Sequence, residues 1–376
     1  MKILHISSVP ISYPGGTEKV IWELATRQAE ENEVTILQTT LYLPKLKESI
    51  ISKEKVKIIT CKNDLWLGGF GYSKSFKSTL NKIWDTFDIV HIHGHGRFTS
   101  TYALSFLNNK RPMIYSAQGF FHNKKHSFFK KTYNLAFGRL LKNANFCTAL
   151  TELERKYLLN KFKIKPNKIM LLPGGIDLDN FGHASTKEIM RFKKKHGLIG
   201  RPTILYVGRI HESKGLQYVV EAIKDINCNL LLIGKDVGYK QTLMDKATLL
   251  GIKDKLIFAG ILDDKNLKIA YRSSDIFTLF SEWEGFGIVA IEAMASKLPV
   301  IVSDRGSLPY LIKNNQNGLI VGWKNVKKLK EMINLVLNQR PLRKRLIKNG
   351  LKYSNNFDWN NINKNVEEMY GQAIKQ

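Results

Sequence analysis

The sequence predicts two doubly wound α/β domains whose strand ends line a cleft. Three observations predict it. Short apolar strands alternate with amphipathic helices along the chain, which gives mostly parallel sheets covered on both faces. The alternation stops at a turn-rich stretch, LLPGGIDLDNF, and restarts after about residue 190. The 376 residues, at roughly 150 per domain, suffice for two cores.

Taken in order, KILHIS opens the first half as a strand, and SVPISYPGGTE is a turn. EKVIWELATRQAEE places Val20, Ile21, Leu24 and Ala25 at helical spacing. EVTILQT, KVKIIT, FDIVHIHG, RPMIYSAQG, NFCTALT and KIMLLPGG continue as strands. A polar, basic helix over about Thr186–His196 precedes the restart. RPTILYVGRI, CNLLLIG, DKLIFAG, SDIFTLF and LPVIVSD then read as strands with helices between them, and DWNNINKNVEEMYGQAI as a final amphipathic helix. No repeat of 20–50 residues is visible, which argues against a solenoid. In open α/β sheets ligands bind at the carboxyl ends of the strands, so the loops there carry the chemistry.

Composition excludes several classes. With 43% hydrophobic and 24% charged residues, long-range disorder and collagen-like or low-complexity chains are ruled out. Cys61, Cys147 and Cys228 lie far apart without a CxxC, so neither a disulfide framework nor a zinc module is expected, and a reducing compartment fits. MKILHISSVP lacks the apolar region and cleavage site of a signal peptide, and no apolar run reaches the ~18 residues of a membrane span. A cytoplasmic chain, peripheral on the inner face of the cell membrane, is expected.

Charge is informative. The chain carries 59 Lys and Arg against 32 Asp and Glu, a formal +27. Residues 110–170 hold 14 basic and 2 acidic residues, with no carboxylate between Asp88 and Glu152. This local excess points to an anionic partner: a membrane face, a phosphorylated substrate or a nucleic acid.

The most informative stretch is SEWEGFGIVAIEAMASKLPVIVSD, residues 281–304. Gly285 and Gly287 bracket Phe286 and open a helix whose free N–H groups form an anion site. Glu284 precedes that helix and Glu292 lies about one turn inside it. Carboxylates suit sugar hydroxyls, while the amides of Phe286, Gly287 and Ile288 suit phosphate. The pattern asks for a ligand carrying both. Two isolated glutamates would be an ordinary solvated pair; the whole string is not. YVGRIHESKG places Gly208, Arg209 and Lys214 after a strand, where two cations can neutralise a diphosphate; alone, such a basic loop is common. Gly15 and Gly16 in SYPGGTE lie between the first strand and helix, where a backbone can approach phosphate or simply turn. The full dinucleotide fingerprint is absent.

On these motifs the chain resembles the GT-B-fold retaining glycosyltransferases of family 4, the glycosyl transferases group 1. GRIHESKG, EGFGIVAIEAMA with Glu284-x7-Glu292, LPVIVSDRGSLPYLI and NNQNGLIV match in order. The resemblance covers nearly the whole chain, most specifically residues 201–322. It implies an acceptor-side domain over 1–182 and a nucleotide-sugar-binding domain over 183–356, with the helix 357–376 packing back onto the first. It implies that Arg209 and Lys214 hold the diphosphate, Glu284 the donor sugar and Glu292 the ribose. Gly16, beside Gly15, would approach the distal phosphate, and Gly260 and Ile261 would lie in the base-binding loop. The family commonly has a histidine where SAQGFF places Gln118; glutamine hydrogen-bonds a hydroxyl but carries no proton.

His91, His93 and His95 in HIHGHG alternate and so share a strand face. A metal site there is conceivable, but the resemblance requires no metal or other cofactor and places His93 at the cleft edge. FFHNKKHSFFKKTYN mixes aromatics with lysines, so Lys124, Lys125, Phe128, Phe129, Lys130 and Lys131 are expected to face an anionic membrane and a lipid-linked or glycan acceptor; a solvated helix face is the plain alternative. Single-stranded nucleic acid would also suit such a segment, but no RNA or DNA motif accompanies it. The expected activity is transfer of a sugar from a nucleotide sugar to a hydroxyl. The alternative is a catalytically weak binding subunit supporting a partner transferase, for which Gln118 is the one supporting feature. A sugar phosphorylase would need a longer chain and a pyridoxal-phosphate lysine site.

Overall fold

The computed structural model describes residues 1–13, 15–67, 70–108, 110–117, 137–178, 181 and 184–376. They form two compact units, Met1–Gly174 with Trp359–Gln376, and Gly175–Asp358. The expected boundary at 182/183 therefore moves to 174/175. The reason is local pairing: Ile176 N donates to Phe357 O at 2.7 Å, and Ile176 bridges Asp358, which ties the chain after Gly175 to the second unit. The final helix likewise starts at Trp359 rather than 357, because Asn355–Phe357 forms a 3-10 turn and Phe357 is buried in the second core.

Unit 1 is built on an eight-stranded sheet. Its strands are β1 (Lys2–Ile6), β2 (Glu33–Thr39), β3 (Ser49–Lys53), β4 (Val56–Cys61), β7 (Ile89–His93), β8 (Met113–Ser116), β9 (Phe146–Ala149) and β10 (Ile169–Leu171); β5 (Leu65–Leu67) and β6 (Phe70–Tyr72) form a separate hairpin. The order is β10-β9-β8-β7-β1-β2-β4-β3, parallel except for β3 against β4. The order reverses between β1 and β7, which makes that pair the topological switch point.

Helices α1 (Gly16–Gln28), α2 (Lys74–Ile83), α3 (Phe98–Phe106) and α4 (Glu152–Phe162) cover this sheet. Thr151 caps α4 by accepting from Glu154 N, and Lys163 ends it in the left-handed region. The last helix of the chain, α13 (Trp359–Ile374), belongs here too. Trp359, Ile362, Val366, Met369, Tyr370 and Ala373 recur at helical spacing and are buried in one core with Ile21, Leu24 and Ala25 of α1.

Unit 2 has six parallel strands, β11 (Thr203–Val207), β12 (Asn229–Ile233), β13 (Leu256–Gly260), β14 (Ile276–Leu279), β15 (Val300–Ser303) and β16 (Leu319–Val321), in the order β13-β12-β11-β14-β15-β16. Its switch point lies between β11 and β14. The helices are α5 (Thr186–Lys195), α6 (Leu216–Ala222), α7 (Lys240–Leu249), α8 (Asp264–Arg272), α9 (Ile288–Ala295), α10 (Leu308–Leu311), α11 (Val326–Asn338) and α12 (Arg340–Ser354). A capping box between Ser185 and Glu188 starts α5. Strands such as NLLLI and VIVS are buried at every residue, as parallel strands covered on both faces must be.

Candidate active site

The loops that follow β11 and β14 meet at the switch point of unit 2, and Gly208, Arg209, Lys214, Glu284 and Phe286 lie in them. After β11 the chain passes Gly208 and Arg209 and makes a 3-10 turn over Glu212–Lys214. After β14 it runs through Ser281 and Glu284 into α9. The two loops are stitched together: Glu282 N donates to Ser213 O at 2.8 Å, and Lys214 Nζ donates to Glu284 Oε1 at 2.5 Å. Gly215 permits this approach. Its φ is +64°, and a Cβ there would lie 2.0 Å from Phe280 O, a contact no side chain survives.

The Glu284 carboxylate is held from several sides. Ser281 Oγ donates to the same Oε1 at 2.8 Å, and Ser281 is fully buried. The segment after β15 then fixes the backbone beneath it. Ser303 Oγ donates to Ser281 O at 2.5 Å, Ser307 N to Glu284 O at 3.0 Å, and Ser307 Oγ to Gly285 O at 2.6 Å. Gly306, with φ +60°, lies so close that a Cβ would sit 2.6 Å from both the N and O of Glu284. The Lys214–Glu284 pair is largely shielded, with side chains 13% and 17% exposed. Removing one partner of a pair so shielded leaves a poorly solvated charge.

Gly287 precedes α9 in the left-handed region and Ile288 begins it; no side chain caps this N-terminus. Phe286 is half-buried, its ring 5.8 Å from that of Phe357. Glu292 is only 8% exposed and accepts from Tyr271 Oη at 2.8 Å. Burial and that carboxylate push the Tyr271 phenol well above its ordinary pKa, so it remains a donor. Arg209 is exposed and forms no ion pair with a described residue; its carbonyl accepts from Tyr206 Oη at 2.8 Å.

Gly208, Gly234 and Gly260 lie at the carboxyl ends of three adjacent strands, linked by Gly208 N to Ile233 O at 2.9 Å and Gly234 N to Gly260 O at 2.7 Å. Tyr206 Oη closes on Gly208 and Gly208 O on Gly234, while nothing lies within 4 Å of where a Cβ on Gly260 would stand, so a ligand can approach the backbone there. Gly234 stands in no motif of its own, but YVG, LIG and FAG end three successive strands alike. Ile261, just beyond, is 74% exposed. Arg209, Lys214, Glu284 and the glycines therefore follow strand ends of one sheet, while Glu292 lies inside α9 against Tyr271 of α8. Ser281, Gly306 and Ser307 join them and were not singled out from sequence.

In unit 1, Gly15 precedes α1 in extended conformation and Gly16 is its first residue, with nothing within 4 Å of where a Cβ would stand. Glu18 is buried in the first turn and faces Gly15; burial raises its carboxyl pKa, while its own backbone N–H and Arg97 pull the other way. Gln118, Lys124, Lys125, Phe128, Phe129, Lys130 and Lys131 lie outside the described residues.

His93 corrects an expectation. It is the last residue of β7 but only 1% exposed, so its side chain is buried and not offered to an acceptor or membrane. Alternation did align His91 with His93, but His5 of the neighbouring strand completes the group, with ligand atoms within 4.8 Å of one another. His95 stands apart, paired with Tyr115 Oη at 3.1 Å. The cluster is tied into protein hydrogen bonds: His5 Nδ1 with His93 Nε2 at 2.9 Å, His5 Nε2 with Gln28 at 2.8 Å, and His91 with Tyr370 and Ser116 at 2.6 Å each. A metal would have to break these bonds, so the donor set fits a hydrogen-bonded core better than an ion.

Comparison with known proteins bears on the whole chain. Residues 188–353 match the model for glycosyl transferases group 1, and residues 14–180 match that for glycosyltransferase family 4. The chain belongs to the group 1 glycosyltransferases. It is 31% identical over 221 residues to an uncharacterized glycosyltransferase of Methanocaldococcus jannaschii, covering 57% of this chain and 56% of that one. It is 24% identical over 247 residues to a D-inositol 3-phosphate glycosyltransferase of Corynebacterium glutamicum, covering 63% and 59%. The chain thus spans somewhat over half the length of these curated relatives. The fold of Anabaena HepE, solved in complex with UDP, superposes with a TM-score of 0.81 over 99% of this chain and 100% of that one, at 18% identity. Both units are Rossmann-like, and the fold of this group 1 glycosyltransferase is GT-B.

Proposed function

We propose that this group 1 glycosyltransferase moves a sugar from a nucleoside-diphosphate sugar to a hydroxyl acceptor and retains the anomeric configuration. The observation that carries the proposal is the Lys214–Glu284 pair at the switch point of unit 2, beside the uncapped start of α9. The diphosphate is the leaving group, so stabilising its growing negative charge is the main task. Lys214, the exposed Arg209 and the first amides of α9 supply positive potential there. Glu284 spends one oxygen on Lys214 and Ser281 and turns the other to sugar hydroxyls. Glu292, one turn into the helix, takes a ribose hydroxyl, and the open backbone at Gly260 takes the base. HepE, a structural relative, was solved with UDP, which supports a nucleotide donor.

These cations do the work a divalent ion would otherwise do, so no metal is needed: turnover is expected to survive EDTA unchanged. Leaving-group oxygen takes the acceptor's proton on the same face of the sugar, and the product should keep the donor's anomeric configuration by NMR. The acceptor is lipid-linked or a cell-surface glycan precursor, met by a peripheral protein on the cytoplasmic face of the membrane. Among the described residues no helix is long and apolar enough to cross a membrane.

The deciding experiment incubates the protein with radiolabelled nucleotide sugars and a membrane lipid extract. Label in the organic phase identifies donor and acceptor class together. Glu284→Ala and Lys214→Ala should each lower turnover ~10²–10³-fold, the usual effect of losing one transition-state donor, while folding persists. Unchanged turnover in both would remove the assignment.

A further inference from the structure

Helix α12 has two unlike faces. Leu342, Leu346, Gly350 and Ser354 recur every fourth residue and are buried. They pack it against α9, where Met294 would meet a Cβ on Gly350 at 3.1 Å. At 3.6 residues per turn, Arg340, Lys344, Arg345, Lys348 and Lys352 fall on the opposite side, and all five are exposed. No carboxylate occurs between Glu331 and Asp358. None of the five forms an ion pair with a described residue.

Several cations on other helices of unit 2 are paired. Lys328 pairs with Glu331, Lys330 with Asp225, Lys246 with Glu221 and Lys265 with Glu188. Along α12, Arg340, Lys344, Lys348 and Lys352 stand four residues apart in sequence, so each repels the next. Cations in its first turns also oppose the helix dipole, and that turn holds no acid. The helix carries this self-repulsion without internal relief, which is what a surface completed by an external polyanion would show.

We propose that the exposed face of α12 docks unit 2 on an anionic lipid bilayer. The five cations span about 18 Å along a straight helix. Their flexible stems reach a flat array of headgroups without penetrating it. No exposed aromatic accompanies them, whereas basic surfaces for single-stranded nucleic acid interleave stacking rings. The purpose of docking rests on the proposed function: a transferase held on the bilayer meets a lipid-linked acceptor there. Binding itself does not depend on that activity.

The test is cosedimentation of the full chain with vesicles of phosphatidylglycerol and phosphatidylcholine, or of phosphatidylcholine alone, at low and high salt. The protein should bind the anionic vesicles only, and release in high salt. Lys344→Gln/Lys348→Gln/Lys352→Gln should weaken partitioning about tenfold to a hundredfold, since each cation near the surface contributes ~5-fold. Lys187→Gln/Lys194→Gln/Lys195→Gln, which removes the same charge from α5, should leave it unchanged. Circular dichroism checks that both variants fold. Equal loss in the two variants would assign binding to net charge and overturn the proposal. So would equal binding to neutral vesicles, failure of the wild type to bind, or preferential binding of a single-stranded oligonucleotide. Donor turnover, measured in parallel without vesicles, reports on the proposed activity separately.

Discussion

At Glu284, one carboxylate oxygen receives both a lysine and a serine, and this explains why the residue is oriented and not merely present. Ser281 makes that orientation specific. Ser281→Ala removes a buried hydrogen bond to a charged group, worth ~1.5–3 kcal/mol, and frees the carboxylate to swing. The expected outcome is a weaker donor KM with Lys214 still in place, read in steady-state kinetics; an unchanged KM would mean the lysine suffices. Gly306→Ala is the harsher change. Its methyl would strike the backbone of Glu284, and the position has positive φ. We expect a loss of about 1–3 kcal/mol in stability with a larger fall in activity, seen by comparing denaturant melts with turnover.

Among the elements, α13 decides how unit 1 is closed. It returns from the end of unit 2 and places Tyr370 against His91 in a core shared with α1. Through Ser116, His91 is joined to Thr148, so one polar chain runs across β7, β8 and β9 and ends on the last helix. Tyr370→Phe keeps the ring and deletes the hydroxyl, leaving a buried imidazole nitrogen without that partner. The expected cost is ~1–3 kcal/mol, measured by denaturant unfolding. A neutral result would show that His91 finds another partner.

For the whole molecule, the buried histidines tie stability to pH. Burial lowers the pKa of His5 to about 4, and burial with neighbouring imidazoles holds His91 and His93 well below the ordinary 6.5. Unfolded, all three take up protons near pH 6.5. Their neutral forms therefore contribute fully above pH 6.5, and the contribution is lost as pH falls below it towards the folded values. Each histidine costs about 1 kcal/mol per pH unit in that window, so three together make acid unfolding steep. A melting temperature that does not fall between pH 6.5 and 5 would show that these rings are hydrated and charged.

Most strands and the motif spacing were legible in the chain, because hydrophobic period and turn residues are local properties; the short β5, β6 and β16 and the antiparallel β3 were not. The loop positions of Lys214 and Glu284 and the helical position of Glu292 were legible too, while the roles proposed for them rest on the family resemblance. Ser281, Gly306, Ser307 and Gly234 were not singled out, because each acts through a neighbour distant in sequence or on the next strand. His93 shows the limit most clearly. Period 2 tells which histidines share a face, but a parallel sheet is covered on both sides, so period cannot say what that face meets. Only the arrival of β1 with His5 and of α13 with Tyr370 buried it. Local pattern sufficed for the two α/β units and for the contiguous loops that hold Lys214 and Glu284. Tertiary structure alone decided which of those groups are gripped, which are buried and where each unit ends, since these depend on contacts between segments that no local pattern brings together.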